Sequence, residues 1–516
     1  MSTEGSASKP IVNEMKPFLR ASAFALVTAL SCGQAFAGKA DDTVHTAFTK
    51  ELESVDFYYQ SAREGTILSR HIWDGLVYRD PKTGEYSGNL AESWTWVDDM
   101  TLEFKLREGI TFHNGEPFDA DDVVHTITFI TDPENKVVTP SYSNWMKSAE
   151  KIDQYTVRIH TERPFPAALE YLSSLIPIYP NEYYAEGGPT AMGLKPVGTG
   201  PYMVESLEPG KHYVLKKFDG YKGPKTKAEI GTIDIRTIPD INTQMAELLS
   251  GGIDFVWGVP TDQAEQLTTM DQFVVANEAT MRIGYITMDA AARGGENPFT
   301  KKEVRQAVGY AIDRQAIVDN LLKGSSEVVH AACYPTQFGC TDDVMKYEYN
   351  PEKAKELLAA AGYPNGFETE FYAYRNRPYA EAMMAYLADV GIKANLNYLK
   401  YSALRDLQKN GGGGFGFLTW GSNSLGDMSA ITSLFFEMGD QDFARDEEVS
   451  NWLKEGDTSV KDEVRLEAYG KALKKIAEEA YWIPTFSYNA NYVFTKEVDY
   501  KPTPDEIVRF FDMKWN

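Results

Sequence analysis

The stretch from Leu90 to Val123, LAESWTWVDDMTLEFKLREGITFHNGEPFDADDV, decides the fold of this chain. Its first half alternates apolar and polar residues on both sides of a turn, which predicts a β-hairpin; the apolar positions are Trp94, Trp96, Leu102, Phe104 and Leu106. Its second half ends in Asp119 and Asp121, which can cap a helix. That helix would carry Val123, Val124, Ile127 and Ile130 on one face. The stretch therefore predicts a hairpin followed by a capped amphipathic helix.

Toward the N-terminus we expect a strand from Thr43 and a helix around Leu68 to Leu76. Further along, apolar runs predict a series of strands; they are Val157 to Ile159, Tyr202 to Val204, Ile233 to Ile238 and Arg282 to Met288. A helix over Thr243 to Leu249 should end at Gly251-Gly252, a usual C-terminal stop.

From Pro298 onward, helical patterns alternate with strands. Val304, Ala307, Val308, Ala311 and Ile312 share one helix face. Asn350, Pro351 and Gly362 delimit another helix. The rest of this half predicts two more helices, Glu381 to Val390 and Val464 to Ala480. It also predicts three strands, Ala394 to Tyr398, Phe415 to Trp420 and Ile483 to Phe494. Such alternation indicates an α/β fold.

Length and charge limit the possible partners. The chain has 516 residues, enough for about three domains at roughly 150 residues each. Lys and Arg total 51 against 75 Asp and Glu, a net charge of −24. Such a surface repels phosphate backbones and anionic lipid, so nucleic acid is excluded as a partner and no direct membrane contact is expected.

The N-terminus is typical of an export signal, with residues 1–37 as the signal peptide. Lys16 and Arg20 precede a short apolar run, and Ala35-Phe36-Ala37 has the small-x-small pattern of a cleavage site. Cleavage after Ala37 predicts a periplasmic protein whose net charge is −25, because the removed segment carries +1. Met15 is an alternative start, and lipidation at Cys32 is a competing possibility.

After cleavage, Cys333 and Cys340 are the remaining cysteines. Two thiols this close in an exported protein favour a disulfide, with two reduced cysteines as the alternative. A metal site is less favoured, because His330 is the only nearby imidazole.

Motifs for catalysis are missing from the sequence. The seven histidines show no metal-ligand spacing; they are His45, His71, His113, His125, His160, His212 and His330. No Gly-x-Ser-x-Gly elbow is present, and Gly411 to Gly414 lacks the Lys-Ser/Thr of a phosphate loop. We expect no enzymatic activity, no cofactor and no bound metal.

Several blocks in one order resemble the bacterial extracellular solute-binding proteins of family 5, the dipeptide, oligopeptide and nickel-chelate binding subunits of ABC importers. The blocks are Leu90 to Trp94 with Thr101 to Val123, Pro196-Val197-Gly198-Thr199-Gly200-Pro201-Tyr202, Gly252-Ile253-Asp254, and Val304 to Ala307 with Ala311 to Arg314. The resemblance covers essentially the whole mature chain.

The resemblance implies a two-lobed periplasmic binding protein, type II and cluster C-like, with an extra subdomain in the first lobe. We place lobe I at 38–286 plus 487–516, its extra subdomain at 79–195, and lobe II at 287–486. Closure of such a clamp on a ligand is a population shift stabilised by contacts from both lobes.

Two ligand contacts of the family's dipeptide binders can be matched. The arginine of an Arg-Pro-Tyr sequence, which pairs with the ligand carboxylate, corresponds to Arg377. The aspartate three places after a Trp, which binds the peptide ammonium, is replaced here by Asn423, three places after Trp420. A buried ammonium would therefore lack its counter-charge, which disfavours an ordinary peptide with a free N-terminus.

Further candidates surround these positions. Arg375 adds charge beside Arg377, and Arg63 lies in a loop that lines the cleft in the family. The remaining predicted ligand-binding residues are Trp420, Ser422, Tyr58, Tyr59 and Trp145.

The leading hypothesis is that the protein is the binding subunit of an ABC importer. It would capture a small molecule or short peptide as a monomer and deliver it to the permease. The permease would be its only link to the membrane. The same clamp specific for an anionic polycarboxylate, such as a metal chelate or an opine, is the alternative. A chemosensory binding protein is a second one.

Overall fold

The computed structural model describes residues 38–225 and 227–516. The predicted signal peptide, its cleavage site, Met15 and Cys32 lie outside the described residues. The described chain from residue 38 onward belongs to one compact unit, Phe36–Asn516.

Strands alternate with helices along the chain. The strands are β1 (Thr43–Phe48), β2 (Val77–Arg79), β3 (Tyr86–Gly88), β4 (Ala91–Asp98), β5 (Thr101–Leu106), β6 (Met146–Asp153), β7 (Thr156–Thr161), β8 (Tyr202–Glu208), β9 (His212–Lys217), β10 (Thr232–Thr237), β11 (Phe255–Trp257), β12 (Phe273–Thr287), β13 (Phe367–Ala373), β14 (Ile392–Tyr398), β15 (Gly416–Trp420), β16 (Trp482–Thr495), β17 (Val498–Asp499) and β18 (Lys514–Trp515).

The helices are α1 (Arg63–Ile72), α2 (Ala120–Thr131), α3 (Ala168–Ser174), α4 (Asn181–Leu194), α5 (Ile241–Ser250), α6 (Thr261–Leu267), α7 (Lys302–Ala311), α8 (Arg314–Ile317), α9 (Pro351–Ala360), α10 (Arg377–Asp389), α11 (Tyr401–Lys409), α12 (Ser429–Phe436), α13 (Glu447–Thr458) and α14 (Asp462–Glu478).

The predicted hairpin and capped helix are confirmed. Strands β4 and β5 pair antiparallel, and β5 buries its apolar face. Asp119 is the N-cap of α2: its carboxylate accepts a hydrogen bond from the Asp121 amide, and Asp122 bonds back to the Asp119 amide. With β6 and β7 the hairpin forms a sheet of order β4-β5-β7-β6.

A larger mixed sheet of order β14-β13-β15-β12-β16-β11-β1-β10-β9-β8 runs through the described chain. Its central strands β12 and β16 pair antiparallel along most of their length. At one end, Val274 and Phe494 pack on the core of the first half; at the other, Ile286 and Ile483 lie in the core of the second. These two strands connect the segments that we named lobe I and lobe II, whose boundaries stay a prediction.

The disulfide predicted between Cys333 and Cys340 is present, with a Cα–Cα distance of 5.8 Å. It closes a short loop in lobe II.

Candidate functional site

Three parallel strands of lobe II end at one edge of the large sheet. Strand β13 pairs in parallel with β14 and with β15, so their carboxyl ends lie at one edge of the sheet. The segments that follow begin with Tyr374 and Arg375 after β13, Tyr401 after β14, and Gly421 after β15. Ligands of open α/β sheets bind outside the carboxyl ends of the strands, which marks this edge as the candidate site. We call it the strand-end cleft.

Three arginines from separate elements lie near the strand-end cleft. Arg282 lies on β12 beside β15, with Nη1 3.4 Å from the Thr419 hydroxyl and Nη2 3.8 Å from the Glu506 carboxylate. Arg375 follows β13, and Arg405 lies on α11. Among the described residues, no carboxylate forms an ion pair with Arg375 or Arg405. The cleft therefore carries more positive than negative charge.

Two tyrosines lie within range of these arginine charges. Burial raises the pKa of Tyr488 well above its usual value, while the charges of Arg375 and Arg282 act in the opposite direction. Burial also raises the pKa of Tyr401, against the charges of Arg405 and Arg282. Both phenols stay neutral at physiological pH and keep a proton to donate.

Polar atoms around the cleft are sealed from solvent without a hydrogen-bond partner among the described residues: Ser422 Oγ, Tyr488 Oη and Asn376 Oδ1. Ser422 and Asn376 also have a left-handed backbone, with φ of 50° and 53°. Native proteins satisfy most buried polar groups, so unsatisfied ones gathered beside a cleft need an explanation. A bound ligand with both acceptors and donors would supply it.

The two lobes meet beside the cleft. Arg63 Nη1 donates to Ser424 Oγ at 2.6 Å and to the Asp505 carbonyl at 2.9 Å, and Arg63 Nη2 pairs with Glu506 at 2.9 Å. The Gly426 amide donates to Glu170 Oε1 at 2.6 Å. The loop after β15 is thus in contact with lobe I at two points.

Arg377 also lies at this edge of the sheet, with its guanidinium 5.9 Å from the ring centroid of Tyr398, the last residue of β14. Arg377 begins α10, its side chain is 60% exposed, and its Nε donates to Glu381 one turn later at 2.7 Å. The pairing with Glu381 has a local cause: the Pro378 ring suits the first turn of a helix, so Arg377 becomes helical and has an i,i+4 partner. Arg375, two residues earlier, is also exposed, but it has no ion-pair partner among the described residues.

Tyr58 and Trp145 are corrected to core residues. Tyr58 is buried, stacks on Tyr179 and donates its hydroxyl to the Pro177 carbonyl at 2.5 Å. Trp145 is 1% exposed, stacks on Phe165 and has its indole N–H bonded to a backbone carbonyl at 2.9 Å. Because both polar groups are already bonded inside the protein, neither side chain is available to a ligand here.

The other predicted residues lie near the meeting of the lobes or at its margin. Trp420 is half-buried, with its indole N–H bonded to the Ala430 carbonyl at 2.9 Å. Tyr59 donates its hydroxyl to the Asn135 carbonyl at 2.7 Å. Asn423 is exposed, between buried Ser422 and the Ser424 that Arg63 contacts. Their roles as ligand contacts stay predictions.

Sequence reasoning missed Arg282, Arg405, Tyr488 and Glu506. Arg282 lies where the register of β12 against β16 shifts, between Ala279 and Ile283. Such an irregularity can re-aim a side chain, and no local pattern reveals it. Arg405 had a usable signal, because it lies on the helix that directly follows β14.

Comparison with known proteins defines the class. The model of the bacterial extracellular solute-binding proteins, family 5 middle region, matches residues 85–442. The chain belongs to this family.

Individual relatives agree with that assignment. The chain is 28% identical to heme-binding protein A of Haemophilus influenzae, over 82% of this chain and 83% of that one. It is also 28% identical to the glutathione-binding protein GsiB of Shigella dysenteriae, over 90% and 91%. Among solved structures, the ABC transporter-associated periplasmic binding protein DppA of Helicobacter pylori, in complex with the peptide STSA, superposes with a TM-score of 0.75 at 25% identity, over 92% of this chain and 98% of that one.

The described residues contain neither a cluster of metal-binding side chains nor a membrane-spanning helix. No group of three or more His, Cys, Asp or Glu is placed to hold a metal ion there. No helix within 38–225 and 227–516 is long and apolar enough to cross a membrane.

Proposed function

We propose that this protein is the periplasmic binding subunit of an ABC importer and that it captures peptide-like ligands carrying more carboxylates than ammonium groups. Export by cleavage after Ala37, delivery to the permease and action as a monomer are parts of the same proposal. Family membership supports the transport role, and the strand-end cleft supports the ligand class.

The charge of the cleft carries the argument for the ligand. Arg282, Arg375 and Arg405 surround it, and Glu506 is already shared between Arg282 and Arg63. A ligand carboxylate accepting hydrogen bonds from a guanidinium in such a site gains about 1.5–3 kcal/mol per bond. An ammonium would lack the carboxylate that the family's dipeptide binders provide, because Asn423 takes the position of that aspartate. Glutathione, with two carboxylates and one ammonium, fits this balance, and a relative is named for binding it.

Calorimetry with three peptides tests the ligand class. We expect glutathione to bind more tightly than the dipeptide Ala-Ala, and Lys-Lys to show no binding, because its added ammonium groups meet the arginines. Native mass spectrometry of the freshly purified protein would identify a retained ligand of the same charge class. Binding of Lys-Lys as tight as that of glutathione would overturn the proposal.

The substitution Asn423→Asp tests the missing counter-charge. Asp tolerates the left-handed backbone that Asn423 has, with φ of 51°, so the change adds a charge with little strain. Affinity for Ala-Ala should rise by at least tenfold while affinity for glutathione changes less. The control is Asn423→Ser, which adds no charge; an equal gain in Asn423→Ser, or no gain in Asn423→Asp, would show that residue 423 does not face the ammonium.

A further inference from the structure

A small cavity where loop 421–428 of lobe II meets lobe I is lined by an unusual number of cationic groups. Its volume is about 30 Å³. Arg70, Arg79, Lys225 and Arg509 contribute to its wall, and Ser424 closes it from the side of lobe II. The space exceeds the roughly 10–15 Å³ that one water molecule needs.

Most of these cations have a carboxylate partner. Arg79 pairs with Glu170 at 3.1 Å, Lys225 with Asp74 at 2.7 Å and Arg509 with Asp505 at 2.5 Å. The Lys225 ammonium also donates to the Arg70 and Trp73 carbonyls, at 2.7 and 2.9 Å. Lys225 and its neighbours are therefore satisfied by the protein itself.

Arg70 is the exception. Its Nη1 donates to the Ser173 carbonyl at 2.9 Å, while its Nε is sealed from solvent and has no partner among the described residues. No carboxylate of the described chain forms an ion pair with it. The four cationic side chains at the cavity are paired with three carboxylates in total, so one positive charge remains there.

The remaining polar groups do not neutralise that charge. The three serine hydroxyls at the cavity donate their protons to backbone carbonyls. Ser173 and Ser174 donate to the Glu170 carbonyl, and Ser424 donates to the Asp505 carbonyl at 2.7 Å. Burial, helped by the nearby charge of Arg509, lowers the pKa of Arg70 to about 10. Arg70 is half-buried, and a charged group with a sealed, unpartnered N–H is costly, so an anion beside Nε would reduce that cost.

We propose that this cavity is a binding site for a small monovalent anion of halide size, held by Arg70 and closed by Ser424. The site is separate from the strand-end cleft and does not depend on the identity of the transported solute. Because Ser424 belongs to lobe II and the cations belong to lobe I, the occupied site is complete only when the lobes are in contact.

Bromide is a suitable probe, since its anomalous scattering locates it in a crystal. Crystals of the mature protein grown with sodium gluconate are soaked in sodium bromide, and thermal unfolding is measured in the two salts at equal ionic strength. We expect an anomalous peak within hydrogen-bond distance of Arg70 Nε and a higher melting temperature in bromide. Both effects should be lost in Arg70→Gln.

Arg163→Gln is the matched control, because Arg163 is an exposed arginine of lobe I and its loss changes the net charge equally. This variant should keep the peak and the salt effect. Wild-type crystals without bromide in the cavity would overturn the proposal, and this result does not depend on any variant being folded. An anomalous peak that persists in Arg70→Gln would overturn it as well.

Discussion

Two exposed arginines two residues apart differ in their ion pairing. Arg377 is largely exposed and paired with Glu381, an arrangement worth about 0.3–0.5 kcal/mol on a helix surface. Arg375 has no ion-pair partner in the described chain and lies near the buried Tyr488. A guanidinium without a partner gains more from a ligand carboxylate than one that must first leave a glutamate.

We therefore expect Arg375→Gln to weaken glutathione binding by at least tenfold, since one lost charge-assisted hydrogen bond costs about 1.5–3 kcal/mol. Arg377→Gln, which removes the same charge from α10, should change affinity less than threefold. Calorimetry on the two variants and the wild type makes the comparison. A large loss of affinity in Arg377→Gln with no loss in Arg375→Gln would instead support Arg377 as the carboxylate ligand, as in the family's Arg-Pro-Tyr sequence.

At the scale of elements, most strands and helices could be predicted because their signals are local. The capping of α2 by Asp119 and the end of α5 at Gly251, with φ of 79°, are such cases. Longer elements were underestimated: β12 begins at Phe273, before the predicted Arg282, because pairing with β16 extends it through polar residues. Helix α10 likewise begins at Arg377 rather than Glu381.

Helices α12, α13 and α14 of lobe II enclose two carboxylates. Asp457 accepts hydrogen bonds from Ser433 on α12 and Tyr469 on α14, at 2.5 and 2.7 Å. Glu437 lies beside it, and its Oε1 is sealed without a partner among the described residues. Burial and the neighbouring Asp457 raise the pKa of Glu437 above its usual 4.5. The pair therefore holds a proton that the unfolded chain would release.

A raised carboxyl pKa makes the folded state bind more protons than the unfolded state, so stability falls as pH rises above about 4.5. Glu437→Gln, which mimics the protonated acid, should remove this loss and stabilise the protein at pH 7 by an amount on the order of 1 kcal/mol. Thermal unfolding between pH 4 and pH 8 measures it. The control is Glu448→Gln, because Glu448 is an exposed residue of α13. If Glu437→Gln and the wild type showed the same dependence of stability on pH, the raised pKa of Glu437 would be contradicted.

At the scale of the molecule, contact between the lobes depends on Glu170. Its carboxylate accepts from the Gly426 amide of lobe II and pairs with Arg79 and Tyr86 of lobe I, all within 3.1 Å. Glu170 is buried, so removing it leaves the Arg79 charge and the Gly426 amide without a partner.

Glu170→Ala should shift the population toward separated lobes. Ligand affinity falls in proportion to the fraction of molecules that can close, so we expect a several-fold weaker binding of glutathione together with a larger radius of gyration in solution scattering. Glu150→Ala, at an exposed position of β6, is the control. Unchanged scattering by a folded Glu170→Ala protein would show that this contact does not set the closed population.

The sequence by itself determined the family, the α/β class, the hairpin and capped helix from Leu90 to Val123, and the disulfide between Cys333 and Cys340. Those features depend on residues close in the chain or on motifs in a fixed order. Only the tertiary structure brought Arg282, Arg375 and Arg405 to one cleft and assigned Tyr58 and Trp145 to the core. The physical reason is that burial and charge pairing arise between residues distant in sequence, whose meeting depends on how β12 and β16 connect the two cores.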